Sequence, residues 1–379
     1  MKILINTSNL VVGGGLQVAV SVINELRNNH RHQYFVVLSP GVAEQVDTDA
    51  FPANFAFEIV GSPARLSSRR KTMKRLQELE AQARPDVVLS VFGPSYWRPR
   101  APHICGFALG WFIHPESPAH DLLNTREKFK HWLVKKYKWA HLRKETDYLW
   151  CETADVRQRL NRVFDFPLSC TFVVGNTFSS HFQKFAGQPA SRTSAQDGVF
   201  KLLTVSAYYP HKNLEIIKQV IPRLVGKMNF CFILTIPVPV YQSIFNEVER
   251  AFVKTLGAVT AAACPGLYAE ADAVFLPTLL ECFSANYPEA MVMRKPILTS
   301  DLSFATGLLG AGAIYFNPLD ADDIAGKILQ LATSKDTYNT VVAEALKVLP
   351  NFMGPADRAS CLISLCERVA DPVATASIT

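Results

Sequence analysis

Two doubly wound α/β domains, each a parallel sheet flanked by helices, are what this sequence predicts, and three observations predict them. The chain has 379 residues, too many for one ordinary core and suited to two domains of roughly 150 to 200 residues. Short apolar runs of strand length alternate with helical patterns over most of the chain, as the crossovers of a parallel sheet require. Residues 185–198, FAGQPASRTSAQDG, are poor in apolar side chains and rich in small and polar ones, the composition of a linker. The expected division is a first domain over 1–187, a linker over 188–198 and a second domain over 199–355.

Taken in order, KILINTS reads as a first buried strand and LQVAVSVINELRNN as its crossover helix. YFVVLS, FAFEIV, DVVLSVF and HICGFAL supply further strands of the first sheet. After the linker, FKLLTVSA, FCFILTI, AVFLP, PILTS and AIYF form a second set, with helices at NLEIIKQVIPRLV and DDIAGKILQLA. The opening run is broken by Asn6, Thr7, Ser8 and Asn9, so it lacks the continuous apolar region of a secretory signal. FCFILTIPVPVY carries Pro237 and Pro239, which suits a buried strand and its exit better than a spanning helix. Any membrane contact is therefore expected to be peripheral and the chain cytoplasmic. In sheets of this kind ligands lie beyond the carboxyl ends of the strands.

Composition narrows the function classes. With 49% hydrophobic and 19% charged residues the chain is globular. Its eight cysteines form no C-x-x-C pair, which favours reduced thiols over a disulfide frame or zinc site. Lys and Arg outnumber Asp and Glu by 24 to 16 through Gly187, but trail by 15 to 17 afterwards. The excess sits in residues 65–75, RLSSRRKTMKR, and 126–144, REKFKHWLVKKYKWAHLRK, where eight basic residues interleave with Phe129, Trp132, Tyr137 and Trp139. Such a pattern can seat a helix on an anionic membrane surface, and equally describes a solvated helix whose aromatics pack on their own domain. No RNA- or DNA-reading module accompanies it, so nucleic acid is not an expected partner.

Four stretches could carry chemistry. Gly13, Gly14 and Gly15 lie between the first strand and its helix, where a side-chain-free loop lets a phosphate or sugar approach free helical N–H groups. They are not G-x-G-x-x-G, which counts against a nicotinamide dinucleotide. Pro210, His211 and Lys212 stand between a strand and a helix expected to start near Asn213, where a lysine can reach a bound phosphate as a point charge. LLECFSANYPEA places Glu281 at a strand's carboxyl end and Glu289 in the first turn of a helix expected near Pro288. Asp320-Ala321-Asp322 imitates a metal-binding D-x-D but precedes a helix, so capping explains it.

From Phe275 onward the sequence resembles the donor-binding half of GT-B glycosyltransferases of the retaining family 4 type. The E-x7-E spacing, Pro-Glu-Ala-Met, Thr-Ser-Asp and YFNPLDADDIA occur in order. GGGLQ, ETADVRQRL, VVGNTF and PHKN extend the likeness over nearly the full chain. The resemblance implies two Rossmann-like domains facing an interdomain cleft, an acceptor site in the first, a nucleotide-sugar site in the second, and a C-terminal helix over 356–379 returning to the first domain. By similarity Glu289 would accept hydrogen bonds from ribose, Lys212 would face the diphosphate, and Glu281 would lie near the donor sugar. Phe283, Ser284, Ala285 and Asn286 would meet sugar and diphosphate, Gly14 and Gly15 would close over the donor, and His114 would lie near the transferred sugar. No cofactor or metal is implied. The acceptor would be a glycan or lipid-linked glycan of bacterial surface polysaccharide assembly, such as O-antigen or capsule.

The chain departs from that pattern at two points. Ser206-Ala207 stands where Gly-Arg is usual, removing an arginine that binds the diphosphate and leaving His211 or another base to replace it. Cys282 and Ser284 stand where glycines are usual. These departures keep a non-catalytic glycan-binding protein in view as an alternative; a second is a nucleotide-sugar epimerase of the same fold, which would use a donor site without an acceptor groove.

Overall fold

A computed structural model describes residues 1–186 and 198–371; the linker expected over 188–198 lies almost wholly outside them. The chain divides into two compact units. The first comprises Met1–His114, Leu123–Asn176 and the segment beginning at Met353, and the second Pro115–Leu122 and Thr177–Phe352. The division thus falls before the polar stretch that composition marks at 185–198. Packing explains it: Phe182 is fully buried in the second unit's core, and Phe178 packs against the same cluster.

In the first unit the strands are β1 (Lys2–Asn6), β2 (Gln33–Leu38), β3 (Phe55–Ile59), β4 (Val87–Ser90), β5 (His103–Phe107), β6 (Tyr148–Cys151) and β7 (Thr171–Val173). They form one parallel sheet in the order β3-β2-β1-β4-β5-β6-β7. Ile3, Leu4 and Ile5 are fully buried, because a parallel sheet covered on both faces leaves no polar side for alternation. The helix Pro355–Ala370 packs on the first crossover helix, Gly14–Glu25. Its Arg358 is buried and donates to Asn176 Oδ1 at 2.5 Å and Ser21 Oγ at 2.7 Å, so it ties the chain's last described helix to the first unit.

In the second unit β8 (Phe200–Thr204), β9 (Phe230–Leu234), β10 (Val253–Thr255), β11 (Ala273–Leu276), β12 (Ile297–Ser300) and β13 (Ile314–Phe316) pair in parallel in the order β10-β9-β8-β11-β12-β13. Helices Ile216–Leu224 and Ala321–Thr333 pack together, and with Phe232, Phe275 and Leu298 they make one core cluster. Strand order reverses between β1 and β4 in the first sheet and between β8 and β11 in the second. At such a switch point the two central loops diverge and leave room for a ligand.

Two helix starts differ from the sequence expectation. Asn213 takes a left-handed conformation (φ 55°) after a 3-10 turn over Pro210–Lys212, so the helix begins at Ile216 rather than near Asn213. The E-x7-E helix spans Asn286–Val292, starting two residues before Pro288. Asp320 accepts from the amides of Asp322 and Asp323 at 2.9 and 3.2 Å and caps the helix after it, as expected. All eight cysteines are free thiols, six of them buried. Among the described residues no helix is long and apolar enough to cross a membrane.

Candidate functional site

The second unit's switch point gathers most of the residues singled out by sequence. β8 ends at Thr204, whose hydroxyl donates to Phe275 O at 2.5 Å and fastens the strand to β11. Beyond it, Ser206 N donates to Thr235 Oγ1 at 2.9 Å, which holds the start of the β8 loop against the end of β9. The β8 and β11 loops are joined directly: Leu279 N donates to His211 O at 2.7 Å, and Thr278 Oγ1 to the same carbonyl at 3.2 Å. These bonds set Lys212 opposite Glu281, and Lys212 Nζ donates to Glu281 Oε1. Glu281 therefore lies in the loop five residues past β11 rather than at the strand's end.

Eight positions on, Glu289 occupies the first turn of its helix and is buried. Burial pushes its carboxyl up to about 7, although hydrogen bonds from Tyr268 and the Ser179 amide pull the other way. The Tyr268 hydroxyl lies 2.9 Å from Glu289 Oε2 and 2.7 Å from Asn286 Oδ1, two acceptors for its single proton. Asn286 Nδ2 in turn donates to Ser284 Oγ at 3.3 Å. Phe283 stacks edge-on against Phe352, ring centroids 5.9 Å apart, and Ala285 caps the helix.

Burial and then the adjacent Lys212 charge hold the His211 imidazole down at about 3, so it is neutral in the ligand-free protein. Residues 205–215 and 277–289 contain no other Lys or Arg than Lys212. The positive charge on these two loops is therefore Lys212 alone, paired with Glu281.

Gly14, Gly15 and His114 belong to the first unit. There Gly13, not its neighbours, is the position that requires glycine, with φ 80° and ψ −164° at the start of the Gly14–Glu25 helix. A Cβ on Gly14 would meet open space. His114 closes the Gly110–Ile113 helix, its amide bonded to Gly110 O at 3.2 Å and its ring buried. It directly precedes Pro115–Leu122, the short segment counted with the second unit, where Ser117 Oγ donates to Leu279 O at 2.6 Å. In the first unit, a buried polar chain starts at Asn6 and Ser90, the last residues of β1 and β4, and runs to His103, the first residue of β5. The acceptor Glu145 O lies 2.7 Å from His103 Nδ1, which fixes that nitrogen as the donor. Nε2 then accepts from Ser90 Oγ at 2.8 Å, and Ser90 Oγ accepts from Asn6 Nδ2 at 3.1 Å.

Tyr268, Thr235, Thr278 and Ser117 escaped the sequence reading. Thr278 follows the strand FLP closely enough to be found by position, whereas Tyr268 and Ser117 reach the site only through tertiary packing.

Residues 199–334 match the family model described as glycosyl transferases group 1. The fold is that of the GT-B glycosyltransferases. Among solved structures, the fold of this chain is similar to that of Anabaena Alr3699/HepE in complex with UDP and glucose, at TM-score 0.73 and 14% identity over 97% of this chain and 99% of that one. It is similar to a glycosyltransferase from Rickettsia africae at TM-score 0.73 and 14% identity, covering 98% and 99% of the two chains. It is also similar to sucrose-phosphate synthase from Thermosynechococcus elongatus at TM-score 0.72 and 12% identity, covering 97% and 98%. A search of curated proteins by sequence finds no match.

Proposed function

We propose that this chain is a glycosyltransferase that moves a sugar, with retention of configuration, from a nucleoside-diphosphate sugar to a glycan or lipid-linked glycan in bacterial surface polysaccharide assembly. The observation that carries the reading is the ion pair of Lys212 with Glu281 across the two loops of one switch point, with Glu289 buried in the helix that follows the second loop. Lys212 is the cation for the diphosphate, Glu289 the acceptor for ribose hydroxyls, and Glu281 the carboxylate at the sugar. The UDP and UDP-glucose bound by the Anabaena neighbour support a donor of this class. The bond from the sugar's C1 to the phosphate oxygen breaks, the bond from C1 to the acceptor oxygen forms on the same face, and the leaving phosphate takes the acceptor's proton. The protein then supplies positioning and charge. The reading needs no metal, since Lys212 brings the positive charge.

The acceptor side of the proposal is a lipid-linked glycan met at the inner face of the cell membrane. Phe129, Trp132 and Leu133 are 61%, 48% and 47% exposed on the helix Thr125–Glu145. Lys136 stands over Trp132 at 4.0 Å, on the same helical face. Aromatics with lysines around them are the chemistry that seats a helix in an anionic interface. A non-catalytic glycan-binding role is the second reading, favoured by Ser206-Ala207 in place of an arginine.

Calorimetric titration of UDP, GDP, dTDP and CMP into wild type and Glu289→Ala tests the donor site. Binding of one nucleotide, lost in the variant, supports it; no binding by any contradicts it. Transfer or hydrolysis of the matching nucleotide sugar then decides against the non-catalytic reading.

A further inference from the structure

A lysine kept for a phosphate would ordinarily wait in solvent. Lys212 instead is only 19% exposed at its side chain and is committed to Glu281, itself 12% exposed. The pairing is built in from both sides. The β8 and β11 loops are pinned by Leu279 N on His211 O, and the single Thr278 hydroxyl proton has two acceptors in reach, His211 O at 3.2 Å and the Glu281 oxygen that Lys212 holds at 3.3 Å. An arriving diphosphate meets a cation whose charge is already balanced and a carboxylate that repels it at short range.

We propose that the Lys212–Glu281 pair is a latch opened by the donor: a nucleoside diphosphate takes Lys212 from Glu281, and the released carboxylate then becomes available to the sugar. The inference rests on the donor-site reading above and adds to it an order of events and a sign. If Glu281 were simply one more contact in the site, removing its charge would leave nucleotide affinity unchanged or weaken it. As a latch, it competes with the diphosphate, so removing its charge strengthens binding of the nucleotide that lacks the sugar. The sugar's own need for Glu281 makes the same substitution lower turnover.

The experiment is calorimetric titration of UDP, GDP and dTDP into wild type, Glu281→Gln, Glu281→Asp, Lys212→Met and the Glu281→Gln/Lys212→Met double variant, each with its melting temperature taken first. Glu281→Gln is expected to lower the Kd of the nucleotide that binds by about threefold or more, the scale of a partly exposed ion pair. Glu281→Asp keeps the charge and is expected not to tighten binding. Lys212→Met is expected to weaken it by roughly tenfold or more, and in that background Glu281→Gln should bring no gain. Should Glu281→Gln not fold, Glu281→Ala carries the same prediction. Unchanged or weaker binding in Glu281→Gln, with Lys212→Met still defective, overturns the latch and leaves the donor site standing. Wild-type affinity in Lys212→Met, or no binding by either wild type or Glu281→Gln, removes the donor site and the latch with it.

Discussion

The two sheets share their central strand order, yet their switch points are furnished in opposite ways. From the ends of β1 and β4 a neutral chain runs across to β5, Asn6 to Ser90 to His103 to the Glu145 carbonyl, with all three side chains fully buried. Between β8 and β11 stand ions: Lys212 on Glu281, with the raised carboxyl of Glu289 nearby in the chain. Topology supplies a place at the carboxyl ends of both sheets, but side chains decide its use. A satisfied buried network fixes backbone and has nothing left to offer a ligand, whereas a partly exposed ion pair can exchange partners.

The comparison breaks most severely if His103 is replaced. Burial holds its imidazole down at about 4, so it is neutral, and both its nitrogens are used. His103→Ala opens a cavity and leaves Ser90 and the Glu145 carbonyl short of partners, a loss of about 2–4 kcal/mol in chemical denaturation. Nucleotide affinity of the folded variant should stay within about twofold of wild type, because the damage belongs to the first unit's neutral chain.

A pH series sharpens the other side. Glu289 titrates at about 7 in the folded chain against an ordinary value of 4.5. Between these values the folded chain keeps a proton that the unfolded chain gives up. Its contribution to stability is therefore whole below about pH 4.5 and lost as pH rises through 7, on the order of 3 kcal/mol in all. Melting temperature of the ligand-free protein should fall across that window, and Glu289→Gln should flatten the fall. Ribose hydroxyls need the ionised form as acceptor, so nucleotide affinity should rise as pH climbs through 7.

Tyr268→Phe is a gentler cut. It removes a hydrogen bond that lowers the Glu289 titration, at a cost of about 1 kcal/mol. The pH midpoint of nucleotide binding should move upward, which a merely structural role for Tyr268 would not cause. Smallest is the membrane effect: Phe129→Ser with Trp132→Ser should weaken sedimentation with phosphatidylglycerol vesicles several-fold, while nucleotide affinity stays the same.

Much of this was legible before the coordinates. Long β-branched runs such as ILIN and VVLS identify the strands whose faces are both buried, and glycine, proline and carboxylate spacing marked the loops behind them. β10, with three residues, and β6, YLWC, following a basic helix, carry too little pattern to stand out. The Lys212–Glu281 contact spans 69 positions and depends on backbone bonds that no local spacing encodes. The neutrality of His211 was equally hidden, since it follows from burial rather than residue type.

The most direct test of the two-glutamate account is to measure donor turnover and nucleotide affinity together in Glu281→Gln and Glu289→Ala, using the nucleotide sugar whose base the wild type binds. The account predicts that Glu281→Gln loses most of its turnover while keeping or gaining affinity for the nucleotide, and that Glu289→Ala loses affinity foremost. Equal losses of both quantities in both variants would contradict it.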